Sequence, residues 1–302
     1  MNKVFVLAPS EDWIVDRFVK EWREDNQDIN IDNPYHADVV WLLADWCWKH
    51  LDKKIFETKK VLTTVHHIVP EKFFGTSKQQ DFIDRDKITT AYHVYNEISF
   101  KIVKSLTNKP VHLIPYWANQ KIWKKTGSKL ELRKKYNLPI NNYLIGSFQR
   151  DTEGHDLISP KLEKGPDLLA DFIQYKANLD TTKNVHVVLA GWRRQYIINR
   201  LVDAKIPYSY FERPIQPILN DLYQTLDLYP ITSRYEGGPQ SLIECGLLDI
   251  PVISRNVGIA NSVLDKSSIN DDIHLAIPSI PKVENLFLPK GYIEYRNLLI
   301  NL

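Results

Sequence analysis

Short apolar runs alternate with segments of helical spacing along almost the whole chain, and nothing else in the sequence limits the fold as tightly. Residues 4–7, 38–43 (DVVWLL), 61–65, 88–95 and 111–114 read as strands. Helices are expected at 10–24, 49–57 and 96–106, with Ser10 as N-cap of the first and Asp12 and Trp13 in its opening turn. After residue 65 the pattern predicts an irregular loop containing Pro70 and Gly75. A second series follows a polar connector. Its strands are expected at 143–148, 185–190, 208–211, 226–231 and 252–254, and its helices at 130–136, 166–175, 193–204, 218–225 and 240–248. A last helix is expected after Pro289.

Strands that are compact and apolar throughout belong to parallel sheets covered on both faces. The expected class is therefore α/β, with two series that are each near the size of one Rossmann-like domain. A length of 302 residues fits two domains. The break falls in 115–128, which gives a first domain at 1–118 and a second at 119–285. A helical segment at 286–302 is expected to pack back on the first domain. Ligands of open α/β sheets bind beyond the carboxyl ends of the strands. His66, Arg150, Gly191 and Glu236 should lie there.

Composition removes several classes. The chain is 43% hydrophobic and 25% charged with a net charge of +2, ordinary for a globular protein. Short basic clusters at Lys121, Lys124 and Lys125 and at 133–135 read as solvated helix faces, so no nucleic-acid partner is expected. No run approaches the ~20 apolar residues of a membrane span. The opening MNKVFVLAPSEDW has too short an apolar run for a signal peptide. A cytoplasmic protein is expected, with peripheral contact at the inner membrane face left open. Cys47 and Cys245 lie in apolar surroundings outside any CxxC or Cys/His pattern and read as buried free thiols. No metal-ligand pattern stands out, so no metal is expected. Trp41, Trp46, Trp48, Trp117, Trp123 and Trp192 cluster near strand ends and loops, where their faces suit stacking on sugars or bases.

The stretch RYEGGPQSLIE, residues 234–244, carries the chemistry. A strand leads into a turn made by Gly237, Gly238 and Pro239, and a helix starts near Pro239. Proline suits the first helical turn, and Gly238 can cap it. The amides of Gly238, Gln240 and Ser241 would then form an anion site, with a diphosphate as the natural guest. Glu236 precedes the turn, and Glu244 follows inside the helix. Carboxylates accept paired hydrogen bonds from vicinal hydroxyls, so one suits a sugar and the other a ribose. Read alone, the turn serves equally as an ordinary helix start whose glutamates favour the dipole.

The wider segment SRYEGGPQSLIECGLLDIPVIS resembles the E-x7-E motif of retaining glycosyltransferases with the GT-B fold, glycosyltransferase family 4 in particular. Other segments follow in the family's order. TTVHHIVP resembles its N-terminal-domain strand ending in histidine, and KPVHLIPYWANQKIW the stretch closing that domain. IGSFQR with KGPDLLADFI resembles its paired arginine and lysine–glycine motif, and VHVVLAG the next strand and glycine. Together they span about residues 60–265. The resemblance implies two Rossmann-like domains facing across a cleft. It implies that Arg150 and Lys164 bind the donor diphosphate, that Glu236 contacts the donor sugar, and that Glu244 holds the ribose. His66 matches the histidine near the donor sugar and acceptor, with His67 beside it. Gly191, Gly237, Gly238, Gln240 and Ser241 complete the implied donor site. The chain departs from the family at APSEDW, which lacks the glycine-rich loop, at Trp117, and at NVGIANS, where Asn261 stands near an acidic position. It also inserts DTEGHDLISPKLE between Arg150 and Lys164.

The implied reaction moves a sugar from a nucleotide diphosphate sugar to an acceptor hydroxyl with retained configuration. The leaving phosphate oxygen would help take the acceptor proton, while Arg150, Lys164 and the helix amides stabilise the leaving group. Domain closure would exclude water. No cofactor beyond the donor is implied. The sequence does not choose among UDP, GDP and ADP, nor among a glycan, a lipid-linked or another hydroxyl acceptor. Two rival readings are a GT-B nucleotide-sugar epimerase, which needs no acceptor, and a non-catalytic protein that binds nucleotide sugar or carbohydrate.

Overall fold

The structure is a computed structural model that describes residues 1–11, 14–179 and 184–302. Its contacts divide the chain into two units. Unit 1 comprises Met1–Trp117 and Leu288–Leu302; unit 2 is Ala118–Phe287.

Unit 1 runs β1 (Val4–Val6), α1 (Ile14–Asp25), β2 (Val39–Leu42), α2 (Lys53–Thr58), β3 (Lys60–Thr64), α3 (Pro70–Phe73), α4 (Ser77–Asp86), β4 (Ala91–Val94), α5 (Glu97–Leu106) and β5 (Val111–Leu113). The five strands are parallel and lie side by side in chain order. One more pairing changes the topology. Asn30 forms a parallel bridge with Val4, through Val4 N–H to Ile29 O at 2.8 Å and Ile31 N–H to Val4 O at 2.9 Å. The β2 side of β1 is used instead by Lys3 and Leu7. The chain therefore steps outward from β1 to Asn30, then reverses to β2 and the rest. That reversal is the topological switch point of unit 1.

Right-handed crossovers in opposite directions put their helices on opposite faces. Trp22 of α1 meets Trp41 on one face at 5.1 Å, and Phe82 of α4 stacks on Tyr92 on the other at 5.3 Å. The face shared with α1 is completed by a distant part of the chain, the helix Ile293–Asn301 (α12 in chain order). Its Tyr295 ring lies 5.5 Å from Trp41 and 5.0 Å from His93, and its hydroxyl donates to Pro115 O at 3.0 Å. Arg296 forks onto Asp28 at 3.0 and 2.6 Å.

A buried polar chain runs under that helix. Trp41 Nε1–H donates to Thr64 Oγ1 at 2.8 Å, and Thr64 is 2.9 Å from His93 Nδ1. His93 Nε2 lies 2.9 Å from Ile114 O. A carbonyl only accepts, so Nε2 carries the proton and Thr64 donates to Nδ1. Burial pushes the His93 imidazole down to about 3. The native state thus holds His93 neutral while the unfolded chain protonates it below about 6.5. Its contribution to stability is complete above that value and is lost as pH falls towards 3, at up to about 1.4 kcal/mol per pH unit. Urea midpoints measured between pH 7 and pH 4 should fall less steeply for His93→Gln than for the parent.

Two local expectations are corrected here. Among the described residues the first helix runs Ile14–Asp25, and Asp12 and Trp13 lie outside them. Ser10 does not cap it. Ser10 is left-handed at φ 57, and the Asp16 carboxylate reaches back to the amides of Ser10 and Glu11 at 2.9 Å each. The expected loop after β3 contains two helices, α3 and α4. Thr76 caps α4 through Lys78 N–H at 3.2 Å. The helix is polar, so its apolar periodicity is faint, and it is anchored by Phe82 and by Arg85, which pairs with Asp45 at 2.7 Å and Asp81 at 2.8 Å.

Unit 2 runs α6 (Lys129–Lys135), β6 (Tyr143–Ser147), α7 (Pro166–Leu179), β7 (Val185–Ala190), α8 (Gln195–Asp203), β8 (Tyr208–Phe211), α9 (Gln216–Gln224), β9 (Tyr229–Ile231), α10 (Gln240–Leu248), β10 (Val252–Ser254) and α11 (Ala260–Val263). The ladders β6-β7-β8 and β9-β10 are parallel. They are joined by a parallel bridge from Ile145 to Leu228, with Gly146 N–H on Leu228 O at 2.9 Å. The spatial order is β8-β7-β6-β9-β10, and it reverses between β6 and β9. Strand β9 is shorter than the expected 226–231, because Leu226 N–H still closes the turn leaving α9 onto Tyr223 O. Ile145, Val187 and Leu189 pack against Leu169, Phe172, Ile173, Ile197 and Leu201 of α7 and α8.

Candidate active site

The β6/β9 reversal positions two loops beyond the strand ends, where α/β sheets take their ligands. One leaves β6 through Phe148, Gln149 and Arg150; the other leaves β9 through residues 232–236. A third segment, 161–165, is sewn between them. Lys164 Nζ lies 2.6 Å from Glu236 Oε1, and Ser233 Oγ donates to the same oxygen at 3.0 Å. Gln149 Nε2 donates to Lys164 O at 2.9 Å. Arg234 and Tyr235 N–H both donate to Glu163 O, at 2.8 and 3.2 Å. The Arg234 guanidinium forks onto Asp167 at 2.8 and 2.6 Å.

Gly165 makes this seam possible. It is left-handed at φ +61, and a Cβ there would sit 2.0 Å from Thr232 O, whose Oγ1 donates back to Gly165 O at 2.9 Å. Gly165→Ala combines a left-handed penalty with a backbone clash. It is expected to destabilise unit 2 by about 3 kcal/mol, read as a lower urea midpoint at unchanged slope.

At the glycine–glycine–proline turn, the helix starts at Gln240 as expected, but its cap is not the expected Gly238. Pro239 is itself the N-cap at φ −59, ψ 115, and α10 begins at Gln240. The proline ring fixes the entry angle, and Gly238 packs against Gly258, where an added Cβ would come within 2.9 Å of the Gly238 Cα. The first-turn amides, at Gln240 and Ser241, mark the positive end of α10. Glu244 lies further along α10, buried, and accepts the Tyr223 hydroxyl at 2.7 Å. Burial first, and then the charge of Glu244, hold Tyr223 well above the usual phenol range, so it remains a donor. The Tyr223 ring contacts Phe148 at 4.6 Å, and Tyr229 Oη accepts Phe148 N–H at 3.0 Å.

Arg150 takes a different direction from the Lys164–Glu236 pair. Its Nε donates to Thr152 O at 2.7 Å, and its guanidinium lies 5.7 Å from the Trp192 ring. Arg193 and Arg213 approach the same ring at 5.2 and 4.5 Å. Burial and then the Arg193 charge lower the Arg150 pKa. Three guanidiniums around one exposed indole make a cationic, aromatic surface suited to an anionic planar ligand. Gly191, at φ +97, opens this loop, and its carbonyl accepts the Tyr210 hydroxyl at 3.0 Å.

Sequence reasoning passed over Arg194. It is fully buried and bonds Asp151 Oδ2 at 2.8 Å, Ser147 O at 2.6 Å, Ser147 Oγ at 2.9 Å and Ala190 O at 3.0 Å. It clamps the ends of β6 and β7 to the root of the inserted loop. That loop closes on itself through a Thr152–Pro160 bridge and through Asp156, which accepts Ile158 N–H, Ser159 N–H and the Ser159 hydroxyl. Asp156 is thereby held down to about 2.

His66 belongs to unit 1, in the loop leaving β3. Its Nε2 lies 2.9 Å from Leu43 O, so that nitrogen carries the proton, and the Tyr116 hydroxyl is 3.4 Å from Nδ1. Burial lowers its pKa, and the ring is neutral. Trp46 and Tyr95 flank it at 5.7 and 5.3 Å. His67 follows it, half-buried. Of the six tryptophans singled out, Trp41, Trp117 and Trp123 are buried and Trp48 nearly so; Trp46 and Trp192 remain 41% and 45% exposed.

No family model and no curated protein sequence matches the chain. Solved structures do. Anabaena HepE in complex with UDP and glucose superposes with a TM-score of 0.70 at 12% identity, covering 91% of this chain and 88% of that one. Sucrose-phosphate synthase from Thermosynechococcus elongatus gives 0.59 at 14%, covering 87% and 66%. A glycosyltransferase from Rickettsia africae gives 0.58 at 16%, covering 99% and 89%. At these identities the likeness speaks for the fold, which is GT-B with two Rossmann-like domains.

Proposed function

We propose that the chain is a retaining, family 4-like glycosyltransferase that moves a hexosyl group from a nucleotide diphosphate sugar to an acceptor hydroxyl. The observation that carries this reading is the Lys164–Glu236 pair at the switch point of unit 2, beside the start of α10. Lys164 supplies positive charge for a leaving diphosphate, and Glu236 presents a positioned carboxylate for sugar hydroxyls. Gly191, Gly237, Gly238, Gln240 and Ser241 line the donor path in this reading, and Glu244 takes the ribose. Arg150, with Trp192, is assigned to the nucleotide end. His66 has both ring nitrogens engaged and neutral, so it is assigned to holding sugar rather than to moving protons. The bond from the anomeric carbon to the diphosphate breaks as the acceptor oxygen bonds on the same face, and the acceptor proton passes to the leaving phosphate oxygen. No metal or further cofactor enters the scheme. Unit 2 is read as the donor domain and unit 1 as the acceptor domain. UDP is the favoured nucleotide, because HepE has been solved with UDP and with UDP-glucose.

Among the described residues no helix is long and apolar enough to cross a membrane. A cytoplasmic location with peripheral membrane contact stays part of the proposal.

Thermal shift with UDP, GDP and ADP tests the donor site. A nucleotide at 100 times its Kd stabilises the native state by about 2.7 kcal/mol, so UDP should raise Tm by several degrees. No shift with any of the three would sink the reading. Proton NMR of the product reads retention directly, and an epimerised sugar released without acceptor would replace transfer with epimerisation.

A further inference from the structure

Unit 1 carries a second feature that the donor chemistry does not use. Among the described residues, its one exposed tryptophan is Trp46, in the loop leaving β2. An indole left in water forgoes the stabilisation that burial brings, yet this one is held in a fixed pose. Its Nε1–H donates to Glu11 Oε1 at 3.0 Å, and its ring lies 5.7 Å from His66. Glu11 follows β1, where the strand order reverses, so the Trp46–Glu11 pair occupies the carboxyl edge beside the switch point of unit 1.

The chemistry of the pair is specific. An exposed indole face meets the C–H face of a sugar ring, and a carboxylate at its rim accepts hydroxyl donors. The surroundings are acidic. After burial, the charges of Glu11, Asp45 and Asp16 raise the pKa of the neighbouring Cys47 thiol. Asp45 is paired with Arg85 at 2.7 Å, which leaves Glu11 and Asp16 as the carboxylates that set the local sign, and His66 adds no charge. Such a field disfavours a phosphate or other anionic group and admits a neutral one. We infer that Trp46 and Glu11 form a subsite for a neutral pyranose of the acceptor. This rests on the transferase reading above and narrows it: the acceptor is a glycan, and the chain extends it.

Saturation-transfer NMR tests the subsite directly. The probes are the methyl glycosides of glucose, galactose, mannose and N-acetylglucosamine, with glycerol 1-phosphate as an anionic hydroxyl control. At least one glycoside should show ring-proton saturation with the parent protein. Trp46→Ala should weaken that binding on the order of tenfold, Trp46→Phe should retain most of it, and Glu11→Gln should weaken it less than Trp46→Ala. The thermal shift with UDP should be the same in all four proteins. The inference is overturned if no glycoside binds the parent, if Trp46→Ala binds as the parent does, or if glycerol 1-phosphate binds better than every glycoside. Absence of a UDP shift in the parent counts against the transferase reading alone, because the glycoside arm is read without nucleotide.

Discussion

Lys164→Ala is expected to lower the rate of sugar transfer on the order of 10²–10³-fold while weakening UDP binding far less. In the proposed donor site the ammonium faces the charge that grows on the leaving diphosphate, so its contribution would be larger in the transition state than in the bound ground state. Glu236→Gln should cost a similar factor. It keeps an oxygen for the Ser233 hydroxyl at 3.0 Å but removes the charge that fixes Lys164 at 2.6 Å. The two side chains act as one unit, so the double variant should lose little more than either single one. Initial rates with saturating donor, measured beside the Kd for UDP, check this. Transfer within a few-fold of the parent in both variants would remove the pair from the site.

The largest stability effect is expected at Arg194. Arg194→Ala strands the Asp151 carboxylate in the interior and leaves the carbonyls of Ser147 and Ala190 without this donor. Breaking a buried pair in this way costs about 3–5 kcal/mol, which corresponds to a fall in Tm of roughly 10 °C for a unit of this size. Burial raises the Asp151 pKa even in the intact pair. A carboxyl whose native pKa is raised is favoured in its protonated form, so its penalty grows as pH rises and shrinks as pH falls. The gap between variant and parent should therefore narrow from pH 7 to pH 5. Asp151→Asn in the Arg194→Ala background should recover part of the loss. A gap independent of pH would mean that lost packing, not the stranded charge, sets the cost.

These two sites differ in how far the sequence exposes them. Lys164 and Glu236 stand in recognisable wording, but their contact comes from a strand order, β8-β7-β6-β9-β10, that the apolar runs do not specify. The bounds of β7, β8, β10 and α10 coincide with the sequence reading, because each segment stops at a glycine or a charged residue: Gly191, Glu212, Arg255 and Asp249. Arg194 was invisible. In LAGWRR nothing separates it from Arg193, and only the left-handed φ of 59 at Arg193 swings one guanidinium inward and leaves the other beside Trp192. The resemblance sets Arg150 beside Lys164 at the donor diphosphate; that its side chain contacts Thr152 and Trp192 is a direction set by the inserted loop. Helix α4 escaped because it buries only Phe82 and Arg85, too few positions to mark a helical period. The single-residue strand at Asn30 lies below any pattern threshold, although it decides where the topology of unit 1 reverses.

The way unit 1 is assembled bears on how the protein is made. Unit 2 is one continuous stretch, whereas the sheet face bearing Trp41 and His93 is closed by Tyr295. During synthesis residues 1–117 leave the ribosome before unit 2 but have only α1 over that face until residues 288–302 follow. Unit 2 can complete its core earlier, as a nascent domain. Residues 1–117, although made before unit 2, thus complete their sheet face after it, and in the interval that apolar face is open to association.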